Sequence, residues 1–176
     1  MTSGGSYLPR VLAPERLTGT HELSSFDNGK HETLNDWLRT RALASEGLSA
    51  RTYVACSERS KRVVAYYAIA TAMEERLVLP NAKLRKGMPD QVPLLLIGRL
   101  AIDQTYQGRG LGTDMLVDAL RRCLSVSEIV GARAIVTHAI DEDAVGFYQK
   151  HGFVTSPLGE RSLIMSIETV QALLIT

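Results

Sequence analysis

An α/β fold, with a mixed central sheet and helices on both faces, is what the order of elements predicts for this chain of 176 residues. Three observations carry the prediction. Val63 to Met73 is rich in β-branched and aromatic residues, and Leu94–Ile97 is a continuous apolar run of the kind found in strands buried on both faces. Leu111, Met115, Leu116, Ala119, Leu120, Cys123 and Leu124 form a helical stripe. Strand and helix then alternate to the C-terminus, an order that builds a sheet covered by helices.

In chain order, residues 1–14 hold Gly and Pro with little periodicity and read as a flexible N-terminal arm. Residues 15–176 then form one domain. Leu17 to Leu23 alternates and is expected to be a first strand, and Phe26-Asp27-Asn28-Gly29 a turn. Leu34, Trp37, Leu38, Ala42 and Leu43 fall at helical spacing, so a helix from Glu32 to about Ser45 stops near Gly47. Arg51–Ser57 and Val63–Met73 read as a hairpin. Leu79 to Val92 is a loop that holds at most one helical turn. Pro93–Asp103 is a strand, and the helix from Gly110 runs to about Val130. Ala134–Thr137 is a strand, Asp141–His151 a helix closed by a left-handed Gly152. Leu163–Ile167 is a last strand and Thr169–Leu174 a terminal helix.

Bulk properties narrow the function. Hydrophobic residues make up 45% and charged ones 22% of the chain, as in soluble globular proteins. No apolar run approaches the roughly 18 residues that span a membrane, and Met1 to Ser6 lacks a signal-peptide layout. Cys56 and Cys123 sit in apolar patterns without metal spacing, so both are expected to be reduced core residues of a cytoplasmic protein. A net charge of +1 argues against a protein that coats nucleic acid. Lys83, Arg85 and Lys86, the pair Arg121 and Arg122, and Lys150 beside His151 are local basic groups, each of which also suits a solvated face.

Gln107-Gly108-Arg109-Gly110-Leu111-Gly112 is the most informative stretch. It leaves a strand and opens a helix, where backbone amides lack helical partners and carry the positive end of the dipole. Such a loop cradles a pyrophosphate. A dinucleotide fingerprint or P-loop from Gly108 needs glycine at position 113, which is Thr113, and Asp114-Met115 replaces Lys-Ser/Thr. Both nucleotide patterns fail. Gln-x-x-Gly-x-Gly fits, and it resembles the acyl-CoA loop of the GCN5-related N-acetyltransferases (GNAT), whose element order this chain shares.

That resemblance implies a single GNAT-like domain that takes acetyl-CoA and needs no metal. The splayed strand before the loop would pair with the pantetheine arm through Leu100, Ala101 and Ile102. Gln107, Gly108, Arg109, Gly110, Leu111, Gly112 and Thr113 would hold the pyrophosphate. Asp141, Ala144, Tyr148 and Gly152-Phe153 resemble a second family motif, with Asp141 in place of the usual Asn. Asp141 can cap its helix, Ala144 and Tyr148 share a face, and Phe147 is expected to point into the core. The family places its tyrosine near the CoA sulfur, so Tyr148 is the candidate general acid. A phenol near pKa 10 stays protonated and can donate to a thiolate near 8.5. An amphipathic helix would also place a tyrosine with its ring packed and its hydroxyl wet.

The acceptor is an amine. A lysine amine is only about 0.04% neutral at pH 7 and benefits from a carboxylate base, whereas an α-amine is already roughly a tenth neutral. Leu94 to Ile102 holds Arg99 and no carboxylate, which tilts the reading towards an α-amine. Phe26-Asp27-x-Gly29, Leu34-Asn35-Asp36-Trp37-Leu38, Arg51-Thr52-Tyr53-Val54, Gly98-Arg99-Leu100-Ala101-Ile102-Asp103 and Phe147-Tyr148-x-x-x-Gly152-Phe153 together resemble the type II toxin branch, of the TacT and AtaT kind, over about residues 15–167. Asn28 stands where many of that branch have Cys or Ser. The branch acetylates aminoacyl-tRNA and blocks translation. A ribbon-helix-helix antitoxin neutralises it and joins it in repressing operator DNA, and a homodimer is expected. Lys83, Arg85, Lys86, Arg99 and Lys150 then become candidate substrate contacts. An ordinary acetyltransferase of a small amine or protein N-terminus, and a non-catalytic acyl-CoA-binding module, are the alternatives.

Overall fold

The structure is a computed structural model, and it describes residues 7–175. Seven strands form one mixed sheet in the order β1-β2-β3-β4-β5-β7-β6. They are β1 (Glu15–Arg16), β2 (Arg51–Cys56), β3 (Val63–Glu75), β4 (Gln91–Ile102), β5 (Ala134–His138), β6 (Val154–Thr155) and β7 (Ser162–Ser166). The helices are α1 (Glu32–Thr40), α2 (Ala42–Ser45), α3 (Ala82–Arg85), α4 (Leu111–Ser127), α5 (Glu142–Lys150) and α6 (Ile167–Ile175). β1 pairs with β2 antiparallel, β4 with β5 parallel, and β7 with both β5 and β6 antiparallel. The chain divides into two compact units, one reaching to Tyr66 and including Ala101–Met115, the other Tyr67–Leu100 with Leu116–Thr176.

In the first unit, Phe26, Leu34, Leu38, Val54, Val63 and Tyr66 build the core. Trp37 stacks on Tyr66 with ring centres 6.0 Å apart, and Phe26 meets the same ring edge-on at 5.4 Å. The Tyr66 hydroxyl, fully buried, donates to the Leu34 carbonyl at 2.6 Å, which satisfies a group that would otherwise cost about 1–3 kcal/mol. The aromatic spacing of Leu34-Asn35-Asp36-Trp37-Leu38 is thus the face of α1 that grips β3.

In the second unit, Leu79, Val92, Leu94, Ala134, Val136 and Ile164 share a core. β4 and β5 are in register from Leu94 with Ala134 to Ile97 with Thr137. Thr137 then donates its hydroxyl to the Ile97 carbonyl at 2.9 Å. That side chain satisfies an acceptor at the last paired residue of β4. Tyr67, wholly buried on β3, donates to Asp118 of α4 through a short hydrogen bond, and Arg122 meets the same carboxylate at 2.9 Å.

Several expected boundaries move. The expected strand over Leu17–Leu23 does not form, and β1 is instead the preceding Glu15–Arg16, because the Thr18 amide bonds the His21 ring at 3.0 Å and Thr18 and Thr20 hydroxyls bond each other. These local bonds outcompete a ladder. The helix to Ser45 is broken at Arg41, whose φ of −118° is non-helical. The helix from Gly110 ends at Ser127. β6 and a 3₁₀ turn at Arg76–Val78 are additional. Of the expected arm, residues 1–6 lie outside the described residues, and Leu12 donates to the Cys56 carbonyl at 2.9 Å.

Candidate acyl-CoA and acetyl-transfer site

The loop residues fall in the first unit. Ala101 and Ile102 are buried at the end of β4, and Asp103-Gln104-Thr105-Tyr106 makes a 3₁₀ turn opened by the Asp103 side chain, which accepts from the Thr105 amide. Gly108 and Gly110 follow at φ of +77° and +81°. A Cβ at either would meet nothing within 4 Å. Conformation therefore demands these glycines, and space does not: an L-residue held there is strained by about 1–2 kcal/mol. The first bond of α4 runs from the Asp114 amide to the Gly110 carbonyl. The amides of Leu111 and Gly112 come before it and have no helical acceptor, so the loop offers the donors that a pyrophosphate needs. Arg109 and Leu111 also line an open groove of about 630 Å³ with Tyr7, Arg10 and Tyr106.

Gln107 is exposed, and its carboxamide Nε2 donates to the Asn28 carbonyl and to the Ile102 carbonyl, both at 2.9 Å.

Leu100 and Tyr148 fall in the second unit, as do all five basic candidates. α5 is capped by Asp141, whose Oδ1 accepts from the Ala144 amide at 2.8 Å, worth about 1 kcal/mol. Glu142 and Asp143 sit on its positive end. The inward stripe is Val145 with Tyr148, which corrects the expectation for Phe147. Phe147 is half-buried and tilts over His151 with ring centres 4.7 Å apart. Tyr148 is 6% exposed and packs edge-on against Phe153 at 5.4 Å. Burial pushes its phenol above the ordinary tyrosine value, and the Thr137 hydroxyl, hydrogen-bonded to it, acts the other way. A phenol so placed keeps its proton throughout the neutral range, as a general acid requires. The helix ends in Gly152 at φ +99°, as expected.

Lys83 and Arg85 lie on α3, with Lys86 as its C-cap. Lys83 lines a groove of about 360 Å³ with Arg133, Met165 and Glu168. Arg85 donates from Nε to the Leu79 carbonyl at 2.8 Å. Arg99 is half-buried on β4, and Lys150 is exposed in the last turn of α5. Thr137, bonded to the Tyr148 hydroxyl, and Asp103, which opens the turn before the glycine loop, were not among the residues singled out from the sequence. The Asp-x-Thr spacing after a strand is a local capping signal that could have found Asp103.

Both cysteines are free and buried, and burial pushes the Cys123 thiol up to about 12. Glu15, His21 and Cys56 bring three ligand-type atoms within 4.8 Å. Glu15 and the Thr18 amide already take the two His21 nitrogens at 2.7 and 3.0 Å, with Lys61 3.7 Å from the Glu15 carboxylate. Glu15 and His21 are thus a hydrogen-bonded pair, and Cys56 Sγ donates to the Lys61 carbonyl at 3.8 Å. Among the described residues, no helix is long and apolar enough to cross a membrane.

The acetyltransferase (GNAT) domain family matches residues 49–155. A tRNA-acetylating toxin of Mycobacterium tuberculosis (strain ATCC 25618 / H37Rv) is 38% identical over 92% of this chain and 96% of its own length. The solved structure of AtaT complexed with acetyl-methionyl-tRNAfMet is similar at a TM-score of 0.86 and 29% identity, covering 95% of this chain and 100% of that one. A tyrosine-to-phenylalanine variant of the AtaT toxin, bound to the C-terminus of the antitoxin AtaR and acetyl-CoA, has a TM-score of 0.79 and 27% identity over 94% of this chain and 99% of that one. This chain is therefore a member of the GNAT acetyltransferase family, and similar members of that family are tRNA-acetylating toxins.

Proposed function

We propose that this chain is the toxin of a type II toxin-antitoxin system, which moves an acetyl group from acetyl-CoA to the α-amino group of an aminoacyl-tRNA and so blocks translation. The observation that carries the reading is the 38% identity to a tRNA-acetylating toxin across 92% of this chain.

The residues take these roles. The amides from Gly108 to Thr113 hold the pyrophosphate, and the backbone of Leu100, Ala101 and Ile102 pairs with the pantetheine arm. Held there, the thioester carbonyl is open to a neutral amine. β4 brings no carboxylate between Leu94 and Ile102, which suits an α-amine already roughly a tenth neutral. As the carbon–nitrogen bond forms and the carbon–sulfur bond breaks, the amine nitrogen releases a proton to solvent, and Tyr148 gives its phenolic proton to the departing thiolate and is reprotonated from solvent. Positioning and this proton transfer supply the rate.

Lys83, Arg85, Lys86, Arg99 and Lys150 are proposed to face tRNA phosphates. Partners in keeping with the toxin branch are a ribbon-helix-helix antitoxin, operator DNA reached through that antitoxin, and a second copy of the chain as a homodimer. The proposed setting is the cytoplasm.

The test is induced expression in a bacterium without antitoxin, with transfer of labelled acetyl to charged tRNA followed in parallel. Growth arrest and labelled aminoacyl-tRNA are expected of the wild type, and relief of both for Tyr148→Phe. Harmless wild-type expression at good yield overturns the toxin reading.

A further inference from the structure

The Phe26-Asp27-Asn28-Gly29 turn lies more than seventy residues from the glycine loop in sequence, and the two are bonded repeatedly. The Asp27 amide donates to Asp103 Oδ2 at 3.1 Å. The Asp27 carbonyl accepts from the Gln104 amide at 2.8 Å, and Asp27 Oδ2 accepts from Gln104 Nε2 at 3.3 Å. The Asn28 carbonyl accepts from Gln107 at 2.9 Å. The turn therefore holds the 3₁₀ segment at its start and its end, and the next residue is Gly108.

The turn is itself held. Asn35, 1% exposed on α1, receives the Asn28 amide at 2.8 Å and donates to Asp27 Oδ1 at 3.0 Å. Gly29 stands at φ +82°, and a Cβ there would press on Gln104 Oε1 at 2.6 Å, so both its conformation and its closeness to the loop require glycine. Asp103, 1% exposed, also accepts the Thr105 hydroxyl at 2.7 Å and Arg62 Nη2 at 3.3 Å. The bonds to the Gln104 and Thr105 amides and to the Ile102 carbonyl fix the backbone just before the positive-φ glycines, and the others hold the side chains that make them. A loop that binds through backbone amides gains from having them fixed in advance.

We propose that this turn is the positioning element of the cofactor loop, with Asp27, Asp103 and Gln107 as positioning residues that set where its amides point. The inference rests on the reading that the loop holds the nucleotide end of acetyl-CoA. It gives the Phe-Asp-x-Gly segment a role that acetyl transfer itself does not assign.

The test compares two donors on the purified enzyme: acetyl-CoA, and S-acetylpantetheine, which lacks the nucleotide. Gln107→Ala deletes an exposed side chain with two hydrogen bonds, and Asp27→Asn weakens the turn from its other end. For Gln107→Ala, KM for acetyl-CoA is expected to rise about tenfold, equivalent to about 1.4 kcal/mol, while KM for S-acetylpantetheine moves less than about twofold. Equal rises for both donors would make the turn merely structural and overturn the proposal, as would an unchanged KM for acetyl-CoA. A wild-type enzyme that uses both donors with equal KM would instead overturn the reading of the loop, and the proposal with it. If Asp27→Asn fails to fold, Gln107→Ala alone decides.

Discussion

The glycine loop offers a ligand its main chain, while α5 offers the reaction a single side chain. Around the loop the side chains work behind the scenes: exposed Gln107 and buried Asp103 bond carbonyls and amides of their own chain. Around α5 the backbone is ordinary helix, and the proposed chemistry rests on one buried phenol. A backbone site is therefore broken by changing conformation, whereas a side-chain site is broken by changing one atom.

Tyr148→Phe carries the largest expected effect. It removes only the phenolic oxygen from a packed ring, so turnover is expected to fall about 10²–10⁴-fold, the range of general acid catalysis. Acetyl-CoA affinity, measured calorimetrically, should change less than about twofold. The pH profile sharpens the point. Burial raises the Tyr148 pKa, so the donor form persists up to and beyond the ordinary tyrosine value of about 10. Turnover should rise with amine deprotonation and then stay level to about pH 10; a fall near pH 8 would assign the proton to another group.

The same contrast explains what was legible in the sequence. Glycines at 108 and 110 encode positive φ directly, so the loop could be read from spacing alone. Tyr148 could be found from its motif, yet the helix period placed Phe147 inward where Val145 and Tyr148 point instead, because a nine-residue helix holds too few turns to set its phase. The alternation of Leu17–Leu23 imitated a strand, since Thr18 and His21 make a turn that no pattern of polarity reveals. Least legible was the brace. Asn28 and Gln107 are 79 residues apart, and nothing local announces that a turn and a loop will bond.

Asp103→Asn comes next, and it tests the brace through stability. Burial alone would raise the Asp103 carboxyl, but hydrogen bonds from Thr105 and Asp27 and the Arg62 charge outweigh it and hold its pKa below the ordinary value. A lowered folded pKa means that the ionised form stabilises the protein above about pH 4, and that this is lost as pH falls through the lowered value. The variant should lose about 2 kcal/mol at pH 7, and its deficit should shrink as pH falls below about 4, where wild type begins to lose the same support. Urea melts at pH 7 and along this acid range measure it. A deficit independent of pH would show that shape, and not charge, holds the loop.

Gly110→Ala breaks the backbone site directly. Alanine at φ +81° is strained by about 1–2 kcal/mol. The loop is expected to relax out of its binding form, weakening acetyl-CoA about tenfold, with labelled-donor filter binding as the measure. A Cβ there meets nothing, so a clash cannot cause the loss. Unchanged affinity would mean that the amides of this loop do not hold the cofactor.

The smallest effects are expected among the basic residues, and they separate substrate contact from support of the fold. Lys86 caps α3 through its backbone and leaves its side chain exposed, so Lys86→Ala removes a charge and little else. If it meets a tRNA phosphate, KM for aminoacyl-tRNA should rise about two- to fivefold, and the slope of log KM against log salt should fall by about one. Arg85 holds the Leu79 carbonyl, so Arg85→Ala should lower the melting temperature as well. A Lys86 variant with an unaltered salt slope would leave that charge a solvated one. It would also move the search for the tRNA surface from α3 to Arg99 and Lys150, where the same pair of measurements applies.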